Sequence, residues 1–151
     1  MSGETEKVRE ILELIAEGLD VDTSIEIDET DDAIAARFVG EDLGVLIGHH
    51  GSVIDAVQHL AYRIAFQGQD QRKQVSVDAG GYRERRAISL RSAADQAAES
   101  AVRQQRAIAL EPMSALERKV VHEHLKLRRD VETYSEGQEP ARRLVVAPVV
   151  S

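Results

Sequence analysis

The six residues "LIGHHG", Leu46 to Gly51, set two imidazoles between two glycines. A short apolar segment, Val45 to Ile47, precedes the break and an amphipathic helical pattern follows it. Glycines at 48 and 51 let the backbone turn sharply and approach another molecule with no Cβ in the way. Amides at the start of the following helix point outward, where they favour an anionic oxygen. His49 and His50 add ring N–H donors and flat faces. A second group of similar chemistry lies in "EPMSALERKVVHEHL", where Arg118 and His122 stand four apart with Lys119 beside them. A third is the pair Arg142 and Arg143 in "SEGQEPARRLVV". All three groups could hold phosphate.

Other chemistries fit less well. The loop has no Gly-Lys-Ser/Thr and no buried strand before it, so it is not a Walker-type nucleotide loop. Adjacent histidines cannot easily chelate one ion together, and the nearby carboxylates lack ligand spacing, so neither a metal nor a cofactor is expected. A nuclease using His122 as base is the enzymatic alternative. Against it, no carboxylate cluster suits a two-metal mechanism, and no orienting acid for His122 is evident close in sequence. A protein-interaction scaffold using the acidic first helix and the alanine seam at 87–101 is the other alternative. Taken alone, Gly-x-x-Gly also describes a plain inter-helix turn, and Arg118 with His122 a solvated face.

The elements that must position these residues are legible. Val8, Ile11, Leu12, Ile15 and Leu19 recur at helical spacing over 6–19. "DVDTSIEIDE" alternates as a strand, "TDDA" turns, and "AIAARFVG" returns as its hairpin partner. Val53, Ile54, Val57, Leu60, Ala61 and Ile64 define a helix after the loop, with Ser52 as N-cap and Asp55 three residues on. "RKQVSVDA" reads as a third strand, giving α-β-β-α-α-β. A long helix is expected from Tyr82 to Ala109, with Ala87, Leu90, Ala94, Ala97 and Ala101 as a small-residue seam and "AIALEP" as a candidate strand at its end. Ser114 and Glu117 form a capping box for a helix to about Leu127, followed by strands in "DVETYSE" and "ARRLVVAP". A helical wheel puts Leu116, Val120, Val121, His124 and Leu125 on the core arc of that helix, and Arg118, Lys119, His122 and Lys126 on the outward arc. His124 reads as a satisfied histidine at the core edge.

The totals bound the class. The chain has 151 residues, no cysteine, no tryptophan and 3% aromatic residues, so its core must be aliphatic and free of disulfides. The start, "MSGETEKVRE", has no apolar leader pattern, and no run approaches membrane-span length, so a cytoplasmic, membrane-free protein is expected. The net charge of −8 is unevenly spread. Residues 1–44 carry 14 acidic against 3 basic side chains, and 45–151 carry 13 against 16. The later part can therefore still meet a polyanion.

The order α-β-β-α-GxxG-α-β, with "IGHHG" at the helix junction, resembles a type II KH domain, whose GxxG loop clamps about four nucleotides of a single strand. The Arg-x-x-x-His helix, after "LEPM" and before "YSEGQEPARRLVV", resembles the R-three-H single-strand-binding domain. Together with "GYRERR", these motifs resemble the bacterial Jag (SpoIIIJ-associated) family from Glu6 to Pro148, without the extra N-terminal domain that many members carry. The resemblance implies an α+β chain. Residues 1–80 would form the KH domain, and 81–151 a long helix and a small α/β R-three-H domain. It also implies a non-catalytic binder of single-stranded RNA, with single-stranded DNA left open, acting in post-transcriptional control and, in some lineages, cell elongation and division. A second small KH protein is the implied partner. The expected contacts are Ile47, Gly48, His49, His50, Gly51 and Ser52 in the loop, then Arg118, Lys119, His122, Arg142 and Arg143. Bases would lie in an apolar groove lined by Ile47 and the Val53–Ile54 turn. Scarce aromatics leave stacking to Arg and His planes, so sequence specificity should be modest.

Overall fold

The computed structural model describes residues 2–150. They form two compact units, meeting in sequence between Arg83 and Glu84. The first contains α1 (Gly3–Gly18), β1 (Ser24–Glu29), β2 (Ala33–Val39), α2 (Gly44–Ile47), a 3-10 turn (His49–Gly51), α3 (Ser52–Ala65) and β3 (Gln74–Ala79). The helix α4 (Tyr82–Gln104) starts at its end. No helix among the described residues is long and apolar enough to cross a membrane.

Alternation makes the first sheet one-sided. β1 and β2 pair antiparallel and β3 joins β2 in parallel, with Ile34 opposite Val75, Ala36 opposite Val77 and Phe38 opposite Ala79. These six side chains are buried in one cluster with Val8, Leu12 and Ala16 of α1 and Ile54, Val57, Ala61 and Ala65 of α3. The parallel pairing follows from the chain path, because strands linked through α2 and α3 cannot close as a hairpin. On the opposite face, Arg37 lies 2.9 Å from both Glu26 and Asp28. These groups are well exposed, so the pairs add little stability. The apolar stripe of α3 differs from the expected one at two positions, Leu60 and Ile64, neither of which belongs to the cluster. Leu60 is 46% exposed, and Ala65 and Phe66 are buried in the cluster.

The second unit pairs α4 and α5 (Ala115–Leu125) with a sheet of strand order β4-β6-β5, formed by β4 (Ile108–Ala109), β5 (Val131–Glu136) and β6 (Arg143–Pro148). Leu90, Ala94, Ala97, Ala98 and Ala101 bury the seam of α4 against Val121, Leu125, Leu144 and Val146. The long helix stops at Gln104 rather than Ala109. Gln105 takes a φ of 53°, which ends the helical path, and Ile108 instead pairs with Val146 on β6. A β-branched residue gains more from a sheet edge than from a fraying helix end.

At the N-terminus of α1 the Ser2 hydroxyl accepts from the Thr5 amide at 3.2 Å. The hydroxyls of Ser2 and Thr5 both donate to the Glu29 carboxylate, tying the first turn to the end of β1. Those donors stabilise the ionised form and hold the Glu29 carboxyl down at about 2, against 4.5 for an ordinary glutamate. Because the folded value lies below the unfolded one, this stabilisation is fully present above about pH 4.5. It is lost as pH falls towards 2. Thermal melts of Glu29→Gln from pH 6 to pH 2 should show a lower melting temperature at neutrality and a shallower acid decline than the parent. Parallel curves would remove Glu29 from the acid response.

Candidate nucleic-acid interface

The Gly-x-x-Gly segment is a forced backbone reversal between two helices. α2 ends where the Gly48 amide donates to Gly44 O at 2.9 Å. Gly48 then adopts φ 74° and ψ −178°, a region that only glycine occupies readily. His50 (φ 52°) and Gly51 (φ 81°) are left-handed as well. A Cβ on Gly48 would lie 2.4 Å from Val53 Cγ2, and one on Gly51 would lie 2.7 Å from the Tyr82 ring. Both glycines are therefore required by φ and by contact. Leu46, fully buried, anchors the near side. On the far side Arg83 donates to Asp55 at 2.8 Å, Gln58 at 3.0 Å and Val77 O at 2.9 Å. Between these anchors the His49 and His50 rings stack on each other, 3.9 Å apart and 26° from parallel.

Two expectations for this loop change. Gly51, not Ser52, is the N-cap of α3, and no side chain caps it. Asp55 is engaged by Arg83 instead. The Gly51 amide donates to Gly48 O at 3.3 Å and the Ser52 amide to His49 O, so the turn satisfies these two donors itself. The apolar groove also loses a wall, because Ile54 is fully buried in the core while Ile47 and Val53 are only partly buried. The exposed apolar side chain on α2 is Val45, at 58%.

In the second unit, α5 and β5 enclose an open cleft of about 360 Å³ lined by Ala115, Arg118, Lys119, His122, Thr133, Tyr134, Ser135 and Leu144. Ser114 caps α5, accepting from the Glu117 amide at 3.3 Å. The Glu117 carboxylate pairs with Arg86. His122 Nδ1 meets the Thr133 hydroxyl across the cleft, which orients the ring and leaves Nε2 as its open nitrogen. Lys119 is exposed and has no hydrogen bond or ion pair among the described residues. Arg142 donates to Gly137 O at 2.6 Å, and Arg143 pairs with Glu136 at 2.8 Å.

The wheel for α5 needs rotating. Arg118, placed on the outward arc by spacing, is buried with 8% exposure, whereas Leu116 is 73% exposed. The inward arc runs through Arg118, Val121 and Leu125. A guanidinium can enter it because its donors reach Met113 O at 2.7 Å and Glu139 Oε1 at 2.8 Å. Hydrophobicity ranks leucine ahead of arginine for burial, but hydrogen-bond partners from distant segments reverse the order. His124 does lie at the core edge, half-buried, its Nε2 2.9 Å from Asp95 on α4. Spacing missed Thr133 and Ser135, since nothing local joins β5 to α5. It also missed Tyr82, which backs the glycine loop.

Two domain profiles match this architecture. Residues 5–78 match the KH domain described as KhpA/KhpB, and residues 88–148 match the R-three-H domain. The chain is 33% identical over 144 residues to the RNA-binding protein KhpB of Clostridium symbiosum, covering 94% of this chain and 65% of that one. It is 33% identical over 133 residues to KhpB of Lactiplantibacillus plantarum, covering 88% and 41%. With KhpB of Bacillus subtilis it shares 30% over 138 residues, covering 90% and 66%. The chain belongs to the Jag family. It spans 65% or less of the first two of these relatives. Within this Jag-family chain, the glycine loop carries imidazoles and no lysine or arginine.

The loop geometry gives a stability test. Gly48→Ala should cost about 2–4 kcal/mol, combining a disfavoured backbone region with the clash on Val53. Gly44→Ala, where the added Cβ meets nothing within 4 Å, should be neutral or slightly stabilising. Urea unfolding of both variants checks the contrast, and equal losses would refute the steric account.

Proposed function

We propose that this chain binds single-stranded RNA without cleaving it, gripping the backbone at two places. The observation that carries this reading is the α5–β5 cleft. It gathers Lys119, the open face of His122 and the hydroxyls of Thr133 and Ser135 within one open surface. Lysine and imidazole donors suit phosphate oxygens, and hydroxyls suit either phosphate or ribose. Arg142, just before β6, and Arg143, its first residue, add positive potential beside it. Tyr134 is 47% exposed, so an aromatic surface is present that composition alone did not promise. The second grip is the loop from Gly48 to Gly51, with Ile47 and Ser52 at its edges. There, backbone amides and the stacked His49–His50 pair would meet phosphate and base.

Charge divides the labour. Residues 1–83 carry 17 acidic and 7 basic side chains, and residues 84–151 carry 10 and 12. The KH unit therefore holds RNA by amide geometry against an unfavourable field, and the R-three-H unit supplies most of the electrostatic attraction. The relatives' name, RNA-binding protein, agrees with this assignment. A non-catalytic role is supported by the setting of His122, whose Nδ1 meets a threonine hydroxyl and not a carboxylate. A second small KH protein as partner is in keeping with the KhpA/KhpB description of the first domain. Cytoplasmic action, post-transcriptional control and a link to cell elongation and division rest on the family resemblance.

Fluorescence anisotropy with a labelled single-stranded RNA, and a gel of the same mixture, tests the reading. The parent protein should retain the RNA intact. His122→Ala should weaken binding about tenfold at unchanged melting temperature, the loss of one charge-assisted donor. The double change His49→Asp, His50→Asp should weaken it further by setting carboxylates against phosphate. Cleaved RNA would favour the nuclease alternative. No retention at all would favour the scaffold.

A further inference from the structure

Arg118 has an unusual setting for a side chain expected to meet a polyanion. Its guanidinium is buried, and its donors are directed into the protein. Nη1 donates to Met113 O at 2.7 Å and, at the limit of hydrogen bonding, to Arg142 O at 3.5 Å. Nη2 donates to Glu139 Oε1 at 2.8 Å. Met113 immediately precedes the cap of α5, Arg142 immediately precedes β6, and Glu139 lies in the β5–β6 connection. One side chain thus ties the entry to its own helix to the β5–β6 connection, whose Glu139 and Arg142 are 21 and 24 residues away. The join is reinforced along the backbone, where Met113 N donates to Arg142 O at 3.2 Å and Leu110 N to Leu144 O at 2.9 Å.

Those segments set the walls of the cleft. α5 presents Lys119 and His122 from one wall, and β5 presents Thr133 and Ser135 from the other. His122 and Thr133 meet across it, one turn of helix beyond Arg118. The Glu139 side chain is 58% exposed while that of Arg118 is 10% exposed, so the carboxylate stands nearer to solvent and already balances the guanidinium charge. Arg118 itself lines the cleft, and a phosphate there would compete with the Glu139 carboxylate for Nη2.

Resting on the RNA-binding reading above, we infer that Arg118 is a positioning residue. Its fork fixes α5 against the β5–β6 hairpin and so sets the width of the phosphate cleft, while Lys119 and His122 make the contacts. Arginine is needed because three acceptors in different directions require a rigid planar fork. Lysine keeps the charge but not the fork.

The experiment measures RNA affinity and its salt dependence for the full chain, using a labelled oligouridylate and only conditions in which circular dichroism shows each variant folded. Arg118→Lys should weaken binding about tenfold with the log–log salt slope unchanged. Glu139→Gln, a milder change at a half-exposed carboxylate, should weaken it severalfold, also at constant slope. Lys119→Ala, the control for direct contact, should lower the slope by about 0.7, the value per phosphate on a single strand. Three binding results would overturn the inference. Arg118→Lys could bind like the parent. Glu139→Gln could bind more tightly, which would make the carboxylate a stand-in for phosphate and Arg118 a direct contact. Both variants could melt earlier yet bind normally when folded, which would leave Arg118 a stability role only. Amide hydrogen exchange without RNA gives an independent readout: Arg118→Lys should speed exchange in 115–125 and 131–136 together, and unchanged exchange there would sink the inference. If Lys119→Ala and His122→Ala bind like the parent, it is the RNA-cleft assignment that fails, whatever the exchange data show.

Discussion

A core with so few aromatic residues must close on aliphatic and small side chains, and that constraint runs through both units. Ala36, Ala61, Ala65 and Ala79 are buried in the first, and Ala94, Ala97, Ala98 and Ala101 in the second. Small side chains at these positions let α3 lie close against β3, and in the second unit they share one buried cluster with Val121, Leu125, Leu144 and Val146. Dispersion contacts then come from many atoms at short range and not from a few large rings. The same closeness limits the loops. Val53 sits where a Cβ on Gly48 would go, and Tyr82 where one on Gly51 would go. The glycine loop is therefore first a packing solution.

Its exposed chemistry follows from that constraint. Two glycines and a left-handed His50 reverse the chain within four residues and bring the two imidazoles into a stack. Leu46 and Arg83 hold the reversal from either side, one by apolar burial and one by hydrogen bonds to α3 and β3. Rigid support for an exposed donor set lowers the ordering cost of binding a flexible strand. The loop lacks fixed positive charge and stands in an acidic unit, so under the proposed function geometry would do there what charge does in the R-three-H cleft.

The second unit solves a different problem, the burial of a cation. Removing a guanidinium from water is costly unless its donors are satisfied and its charge is balanced. Arg118 meets both conditions with two backbone carbonyls and Glu139. This makes it a register device, because the three partners can meet it together in only one arrangement of α5 and the β5–β6 hairpin. Arg142 and Arg143 are likewise engaged by Gly137 O and Glu136. Positive charge around the cleft is thus partly neutralised at rest, which leaves Lys119 as its freest cation among the described residues.

What the sequence determined by itself was whatever depends on near neighbours. Alternation marked β1, β2, β3, β5 and β6, helical periodicity marked α1, α3 and α5, and glycine spacing marked the reversal at 48–51. The motifs in order were enough for the KH and R-three-H family resemblance. Tertiary structure decided what depends on segments far apart in the chain. Leu60 and Leu116 face outward, and Arg118 faces inward, because the partners that settle burial come from other elements. The end of α4 was decided by the pairing of Ile108 with Val146, and the orientation of His122 by Thr133 eleven residues away. Helical periodicity reports the width of an apolar stripe but not its angular origin. A single buried hydrogen-bonding partner is enough to rotate that origin by half an arc.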